Sequence, residues 1–327
     1  MANTIRGLHH LTTITSSSPK IFDFMSGILG LHLIKKTVNQ DDVHTYHLYF
    51  TDDMGSAGTD ITFFDFPGIQ KAQYGTDEIT RTTFRIPNDA AFDYWKTRFD
   101  ANGVEYDGDY IEEFGSKLLQ FRDFDGQRYA LISDENDNGR VEGEPWRNST
   151  VEPEFAIRGL GPALLTIDNK YNLHTVLTQV MGLQEIAREG DDTLYQAEGD
   201  AGHGGQVITR FRNDIPRGVQ GFGGPHHLAF SVDDQEALLF WINKLRKLGF
   251  QDSGFVDRFY FKSEYFHPTP GILFEIATNG PGFLQDETYD EAGIHLELPP
   301  FLENFRAQIE SNLEPFNTGE DTKGSGF

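Results

Sequence analysis

Apolar and polar positions along the chain follow two periods that recur in a fixed order. The stretch GLHHLTTIT, from Gly7 to Thr15, alternates as a strand does, and PKIFDFMSGILGL after it places its apolar residues at helical spacing. The segments LIKKTVN, HTYHLYF and TDITFFDF then return to a period of two. The same order comes back at GPALLTIDN from Gly161, followed by NLHTVLTQVMGL and QEIARE. It comes back again at GPHHLAFSV from Gly224, followed by DQEALLFWINKLRKLGF and strands around Phe255, Tyr260 to Tyr265 and Ile272 to Ala277. A fainter copy starts near Thr80 with TRTTFRIPN and runs through AAFDYWKTRFDANGV. The pattern predicts four tandem βαβββ modules.

One such module exposes an apolar sheet face that it cannot bury alone, so modules should pair into curved mixed sheets around a cavity, an α+β fold. Residues 1–140 are expected to form an N-terminal domain of two modules and residues 152–284 a C-terminal domain of two more. The acidic, polar segment from Asp134 to Val151 reads as the linker between them. Residues 285–327 break the repeat and read as an extension with a closing helix and a disordered tail ending GEDTKGSGF.

The histidines change the picture from architecture to chemistry. Four of the eleven stand in two HH pairs at matching places of the first and fourth modules, His9-His10 and His226-His227. A lone strand histidine is most often a satisfied polar residue, but the repeat of the pair argues for more. Side chains alternate across a strand, so one member of each pair can face the cavity. Glu275, between Phe274 and Ile276 in GILFEIATN, would be a carboxylate buried in a strand otherwise made for burial, and a cation would remove that cost. His10, His227 and Glu275 are therefore the expected metal ligands. Two imidazoles and one carboxylate leave adjacent positions open, the arrangement used by non-haem Fe(II) oxygenases. The third module opens with GPALLTI and has no matching His, so a single metal site is expected, between the first and fourth modules. His44 and His47 lie three apart in a strand-like stretch and so point to opposite faces, which argues against a shared metal.

Composition narrows the rest. The chain has no Cys, so there is neither a disulfide nor a thiolate ligand, and His and carboxylate donors suit Fe(II), Mn(II) or Zn(II). A net charge of −24 works against nucleic acid as a partner. No apolar run is long enough for a membrane span and the first residues resemble no signal peptide, which makes the cytoplasm the expected location. GHGG at Gly202 and GFGGP at Gly221 lack the Lys-Ser or Lys-Thr of a phosphate loop and read as turns. Asn148-Ser149-Thr150 matches a glycosylation acceptor, which has no meaning without secretion.

Four stretches, GLHHLTTIT, LIKKTVNQDDVHTYHLYFTDDMGSAGTDITFFDFPG, GGPHHLAFSV and DRFYFKSEYFHPTPGILFEIATNGPGF, resemble the vicinal-oxygen-chelate superfamily. Within it the chain is similar to ring-cleaving dioxygenases that act on hydroquinone-type substrates. The resemblance places the metal on His10, His227 and Glu275, and implies Fe(II) as the cofactor with Mn(II) as the second candidate. It places active-site partners on Arg258, Tyr265, Thr12, His9 and His226, and implies a small aromatic substrate and O2. The sequence departs from the family pattern at His267 and Thr269, expected in a turn bordering the substrate. A glyoxalase-like metal-dependent lyase or isomerase and a metal-free aromatic-binding resistance protein remain as alternatives. Monomer and homo-oligomer are both left open.

Overall fold

The computed structural model describes residues 3–137, 143–199 and 201–319. The tail from Glu320 onward, expected to be disordered, lies outside the described residues. Among them sixteen strands fall into four groups of four, each with its helix after the first strand. The first module holds β1 (Gly7–Ile14), α1 (Ser18–Phe22), β2 (His32–Val38), β3 (Tyr46–Thr51) and β4 (Asp60–Phe64). The second holds β5 (Glu78–Ile86), α2 (Ala91–Asn102), β6 (Ile111–Glu113), β7 (Ser116–Arg122) and β8 (Arg128–Ser133). The third holds β9 (Ala163–Ile167), α3 (Lys170–Thr175), β10 (Gln184–Glu189), β11 (Asp192–Gln196) and β12 (Gln206–Phe211). The fourth holds β13 (Gly224–Val232), α4 (Gln235–Lys247), β14 (Val256–Asp257), β15 (Lys262–Thr269) and β16 (Ile272–Thr278).

The helices carry the repeat into the backbone. Both α1 and α3 widen into a π-helical turn, over Asp23–Ile28 and Val176–Val180. In each, an N–H reaches back five residues, from Leu29 to the Phe24 carbonyl and from Met181 to the Val176 carbonyl. Each then stops at a glycine in the left-handed region, Gly30 at φ 75° and Gly182 at φ 81°, where a Cβ would be strained.

The modules do not pair in chain order. One eight-stranded sheet runs β14-β15-β16-β13-β1-β4-β3-β2, joining the first module to the fourth; the other runs β10-β11-β12-β9-β5-β8-β7-β6, joining the second to the third. The seam of the first sheet is β1 against β13, antiparallel, with Thr12 opposite His227. Alternation along β13 sends Leu228, Phe230 and Val232 into the hydrophobic core. His227 is left to line the concave cavity. In β16, Phe274 and Ile276 are core while Glu275 is paired beside Ala229 of β13. Simple alternation fails in β1 beside the site. Leu8 and Leu11 both enter the core although they are three apart, because a bulge at His9-His10 lets three residues of β1 span two of β13.

Two expected segments differ from their sequence reading. The part of the linker that is described is packed on the first module: Trp146 stacks on His32 with ring centroids 5.1 Å apart, and the Glu144 N–H donates to Asp52 at 3.1 Å. The expected closing helix is short, α5 (Arg306–Asn312), and the extension before it does the anchoring. The Lys35 side chain, wholly buried in β2, places its ammonium 2.8 Å from Asp286, beside Glu287 and 4.9 Å from the Tyr260 ring centre. A lysine can be buried there because two carboxylates from the extension neutralise it.

Candidate metal centre

His10 meets His227 and Glu275, both more than 200 residues further along the chain, at the seam of the first sheet. The His10 and His227 Nε2 atoms stand 3.0 and 2.9 Å from Glu275 Oε2 and 3.2 Å from each other. Adjacent ligands at right angles on an octahedral ion with bonds of about 2.1 Å would be about 3 Å apart. Glu275 Oε2 is buried without a hydrogen-bond partner, and the three ligand atoms lie close enough together to share one ion. Burial alone would raise the Glu275 carboxyl, but His10 and His227 beside it hold it well below the usual carboxylate range. The donor set and its spacing fit a divalent ion. The other carboxylate oxygen, Oε1, accepts a short hydrogen bond from the Ser263 hydroxyl, which is itself fully buried.

The paired histidines fix each other's protons. His9 Nε2–H donates to the Thr278 carbonyl at 3.1 Å, which leaves His9 Nδ1 as an acceptor. His10 Nδ1–H fills that acceptor at 2.8 Å, so His10 Nε2 presents its lone pair to the site. The fourth module repeats the contact, with His227 Nδ1 and His226 Nδ1 2.8 Å apart. With His227 Nε2 turned to the site as a ligand, its Nδ1 carries the proton and donates, and His226 keeps its proton on Nε2. Burial, followed by the neighbouring histidine, pushes His9 and His226 down to about 3, so both are neutral imidazoles.

The cavity beside these ligands has a volume of about 520 Å³, and Tyr49, Phe64, Phe66 and Phe261 give it aromatic walls. Arg258 and Tyr265 both line it, as does His226. Arg258 Nε–H donates to the Tyr265 hydroxyl at 3.2 Å, and its NH2 reaches Asp41 at 2.8 Å. Burial first, then the Glu275 charge, raises the Tyr265 phenol, which stays a proton donor. Thr12 lies 3.0 Å from His227 Nε2 through its Oγ1. His9 stands behind His10 rather than in the cavity. His267 and Thr269 are corrected: both lie in β15, neither lines the cavity, and His267 is tied to the Ile272 carbonyl at 2.9 Å because the turn begins only at Pro270-Gly271.

Residues 7–131 match the Glyoxalase/Bleomycin resistance protein/Dioxygenase superfamily. A Bacillus subtilis (strain 168) protein named "Putative ring-cleaving dioxygenase MhqA" is 42% identical over 95% of this chain and 99% of its own length. The chain belongs to that superfamily. A solved Bacillus subtilis structure named as a "putative dioxygenase" superposes with a TM-score of 0.88 at 36% identity, covering 98% of this chain and 100% of that one. The "Chlorohydroquinone/hydroquinone 1,2-dioxygenase" of Sphingobium indicum is 29% identical over 93% of this chain and 95% of its own.

The tandem modules of this superfamily member allow each ligand to be compared with its counterpart across the seam. His10 answers His227, and Thr12 answers Ala229, two residues further along each first strand. Ala229 pairs with Glu275 in parallel register, and Thr12 pairs with Thr62 in the same way. Thr62 therefore occupies the place of a fourth protein ligand and has no metal-binding side chain of its own class. Its Oγ1 lies 2.7 Å from that of Thr12 and 2.9 Å from His47 Nε2, and His47 Nδ1 is 2.9 Å from the Tyr49 hydroxyl. His47 and Tyr49 both line the cavity. Sequence reasoning considered His47 only with His44, which is exposed and bound to Asp42; the alternation that parts the two was itself the signal that His47 faces inward. Ser263 gave no signal at all.

A second convergent group among the described residues is Asp134, Asp137 and His203. It is already hydrogen-bonded: His203 Nδ1 is 2.8 Å from Asp134, its backbone N–H donates to Asp137 at 2.9 Å, and its Nε2 is 3.0 Å from the Ser116 hydroxyl. The Arg85 guanidinium 3.6 Å from Asp134 supplies positive charge there.

Proposed function

We propose that this chain is a non-haem Fe(II)-dependent ring-cleaving dioxygenase acting on a hydroquinone- or catechol-type aromatic, with Mn(II) as the second candidate ion. The observation that carries the reading is the facial set of three ligand atoms with Thr62 where a fourth carboxylate would stand. Three protein ligands leave neighbouring positions for substrate and dioxygen, whereas a glyoxalase-like lyase needs a further carboxylate. The names of the relatives MhqA and hydroquinone 1,2-dioxygenase point the same way.

His10, His227 and Glu275 would hold the ion. When bound, it lowers the pKa of a hydroxyl on the aromatic substrate and lets substrate and dioxygen meet in one cavity. The chain's own groups do the rest. Tyr49, Phe64, Phe66 and Phe261 receive the ring and exclude water. Arg258, fixed by Asp41 and Tyr265, sets a permanent positive charge on the cavity wall, where it steadies a phenolate. Tyr265 accepts from Arg258, so its own O–H is free to donate to a substrate oxygen. His226 holds a proton on Nε2 within the cavity and can donate a hydrogen bond to an oxygen that gains charge. A self-consistent chain of donors runs from the Tyr49 O–H through His47 and Thr62 to Thr12, and it aims the Thr12 O–H at the site.

The test is oxygen uptake by anaerobically Fe(II)-loaded protein given catechol, hydroquinone or chlorohydroquinone, with Glu275→Gln as control. Stoichiometric uptake with one of these rings, absent in the variant, is expected. Tight iron binding with no uptake on any of the three would refute the reading.

A further inference from the structure

The second sheet curves around a cavity of its own, about 340 Å³ in volume. It draws on β5, β7, β8, β9 and β12, the strands that answer β1, β3, β4, β13 and β16 around the metal. The metal donors are gone. Leu164 stands where the repeat places His227, and the Thr80 and Thr166 hydroxyls meet at 2.9 Å across the β5–β9 seam.

What lines this cavity instead is cationic. Arg81, Arg122, Arg128, Arg210 and Arg212 face a single lining carboxylate, Asp107. In a chain of net charge −24 with 27 basic residues, five guanidiniums at one concavity are not a sample of the surface. Four of them are ion-paired: Arg81 with Glu113, Arg210 with Asp192 and Glu113, Arg122 with Glu105 and Asp107, and Arg212 with Asp214. Apart from Asp107, none of those carboxylates lines the cavity. The pairs use part of each five-donor fork and hold its position.

Arg128 differs. Among the described residues it makes no ion pair or side-chain hydrogen bond, and its guanidinium carbon lies 3.8 Å above the centre of the Tyr74 ring. Tyr74 is anchored in turn, its O–H donating to the Gly223 carbonyl at 2.6 Å. Stacking therefore pre-orients Arg128 and leaves its donors for a ligand. Arg122 and Arg128 are direct cross-strand partners and share the concave face, while Phe121 and Tyr129, the next pair, turn into the hydrophobic core on the other face.

We propose that this second cavity binds a small carboxylate, held by the neighbouring guanidiniums of Arg128 and Arg122. A guanidinium fork matches two carboxylate oxygens, and two forks side by side on neighbouring strands can hold one such group between them. The site is separate from the metal cavity, and it stands whether or not the chain cleaves rings.

The test is isothermal titration of the full-length, metal-loaded protein at about 0.15 M salt, where surface charges are screened beyond about 8 Å. The probes are benzoate, cis,cis-muconate and inorganic phosphate. One saturable site for at least one of the carboxylates is expected, with phosphate as the probe of whether any small oxyanion suffices. Arg128→Gln, at an exposed and unpaired position, should weaken carboxylate binding about tenfold and leave the metal-induced rise in Tm unchanged. Arg122→Gln is the second variant and should weaken it similarly. Glu275→Gln should leave carboxylate binding intact, which separates this cavity from the metal site. The proposal is overturned by the absence of saturable carboxylate binding up to about 10 mM, by phosphate alone binding, by both arginine variants binding like the parent, or by loss of binding in Glu275→Gln.

Discussion

Replacing Glu275 with Gln keeps the shape of the side chain and removes the charge that the two imidazoles share. The expected effect is on the gain in stability that a bound ion confers. A ligand present at a hundred times its Kd stabilises the folded state by about 2.7 kcal/mol. Unfolding entropy of about 2.1 cal/mol/K per residue gives roughly 0.7 kcal/mol/K for a chain of 327 residues unfolding as one unit, so the gain appears as a Tm rise of about 4 °C. Disturbing a partner behind a metal ligand already costs 10- to 100-fold in affinity, and loss of a charged ligand should cost at least about 100-fold. At the same ion concentration the variant would then be no more than half-saturated, worth at most about 0.4 kcal/mol and about 0.6 °C. Scanning calorimetry with excess chelator and with excess Fe(II) or Mn(II) reads the difference directly, and any change in the metal-free Tm cancels. An equal metal-induced rise in parent and variant would show that Glu275 is no ligand, and the three-residue site would fall with it.

Thr62→Glu adds a carboxylate at the repeat position matching Glu275; the metal-induced rise in Tm should persist while oxygen uptake falls at least about 100-fold, because the added ligand occupies a position needed by substrate or dioxygen. Persistent uptake would remove the significance of Thr62. Ser263→Ala strips the hydrogen bond from Glu275 Oε1 and should weaken metal binding 10- to 100-fold in a chelator competition, with unchanged affinity as the refuting result. Glu264, on the opposite face of β15, is buried with both oxygens unpartnered, and burial pushes its carboxyl up to about 8. The folded state then holds more protons than the unfolded one between the ordinary carboxylate range and pH 8, so this residue makes stability fall as pH rises through that window. Glu264→Gln should raise stability by roughly 1–3 kcal/mol at pH 8 and by little near pH 4.5, and a gain that does not depend on pH would contradict this account.

Much of this molecule was legible along the chain because its signals are local. The period of two followed by the period of 3.6 marks each module, and residues such as Leu228, Phe230, Phe274 and Ile276 declare which face is core. The two HH pairs and Glu275 stood out as polar residues in strands built for burial, an anomaly that needs no knowledge of neighbours. The two HH pairs joined the first module to the fourth at the metal, but the register of that seam, and the pairing of the second module with the third, were a different matter. They rest on contacts such as Thr12 against His227, 215 residues apart, and no periodicity within a strand says which edge it will meet. The same holds for the bulge that turns His9 behind His10, for Ser263 under Glu275, and for His47 behind Thr62. Each is an ordinary polar residue whose role exists only once a distant strand arrives beside it. The sequence by itself determined the modules and the ligand types. Tertiary pairing decided how many ligands surround the site and what lines its sister cavity, because coordination and charge depend on distances in space that separation along the chain does not encode.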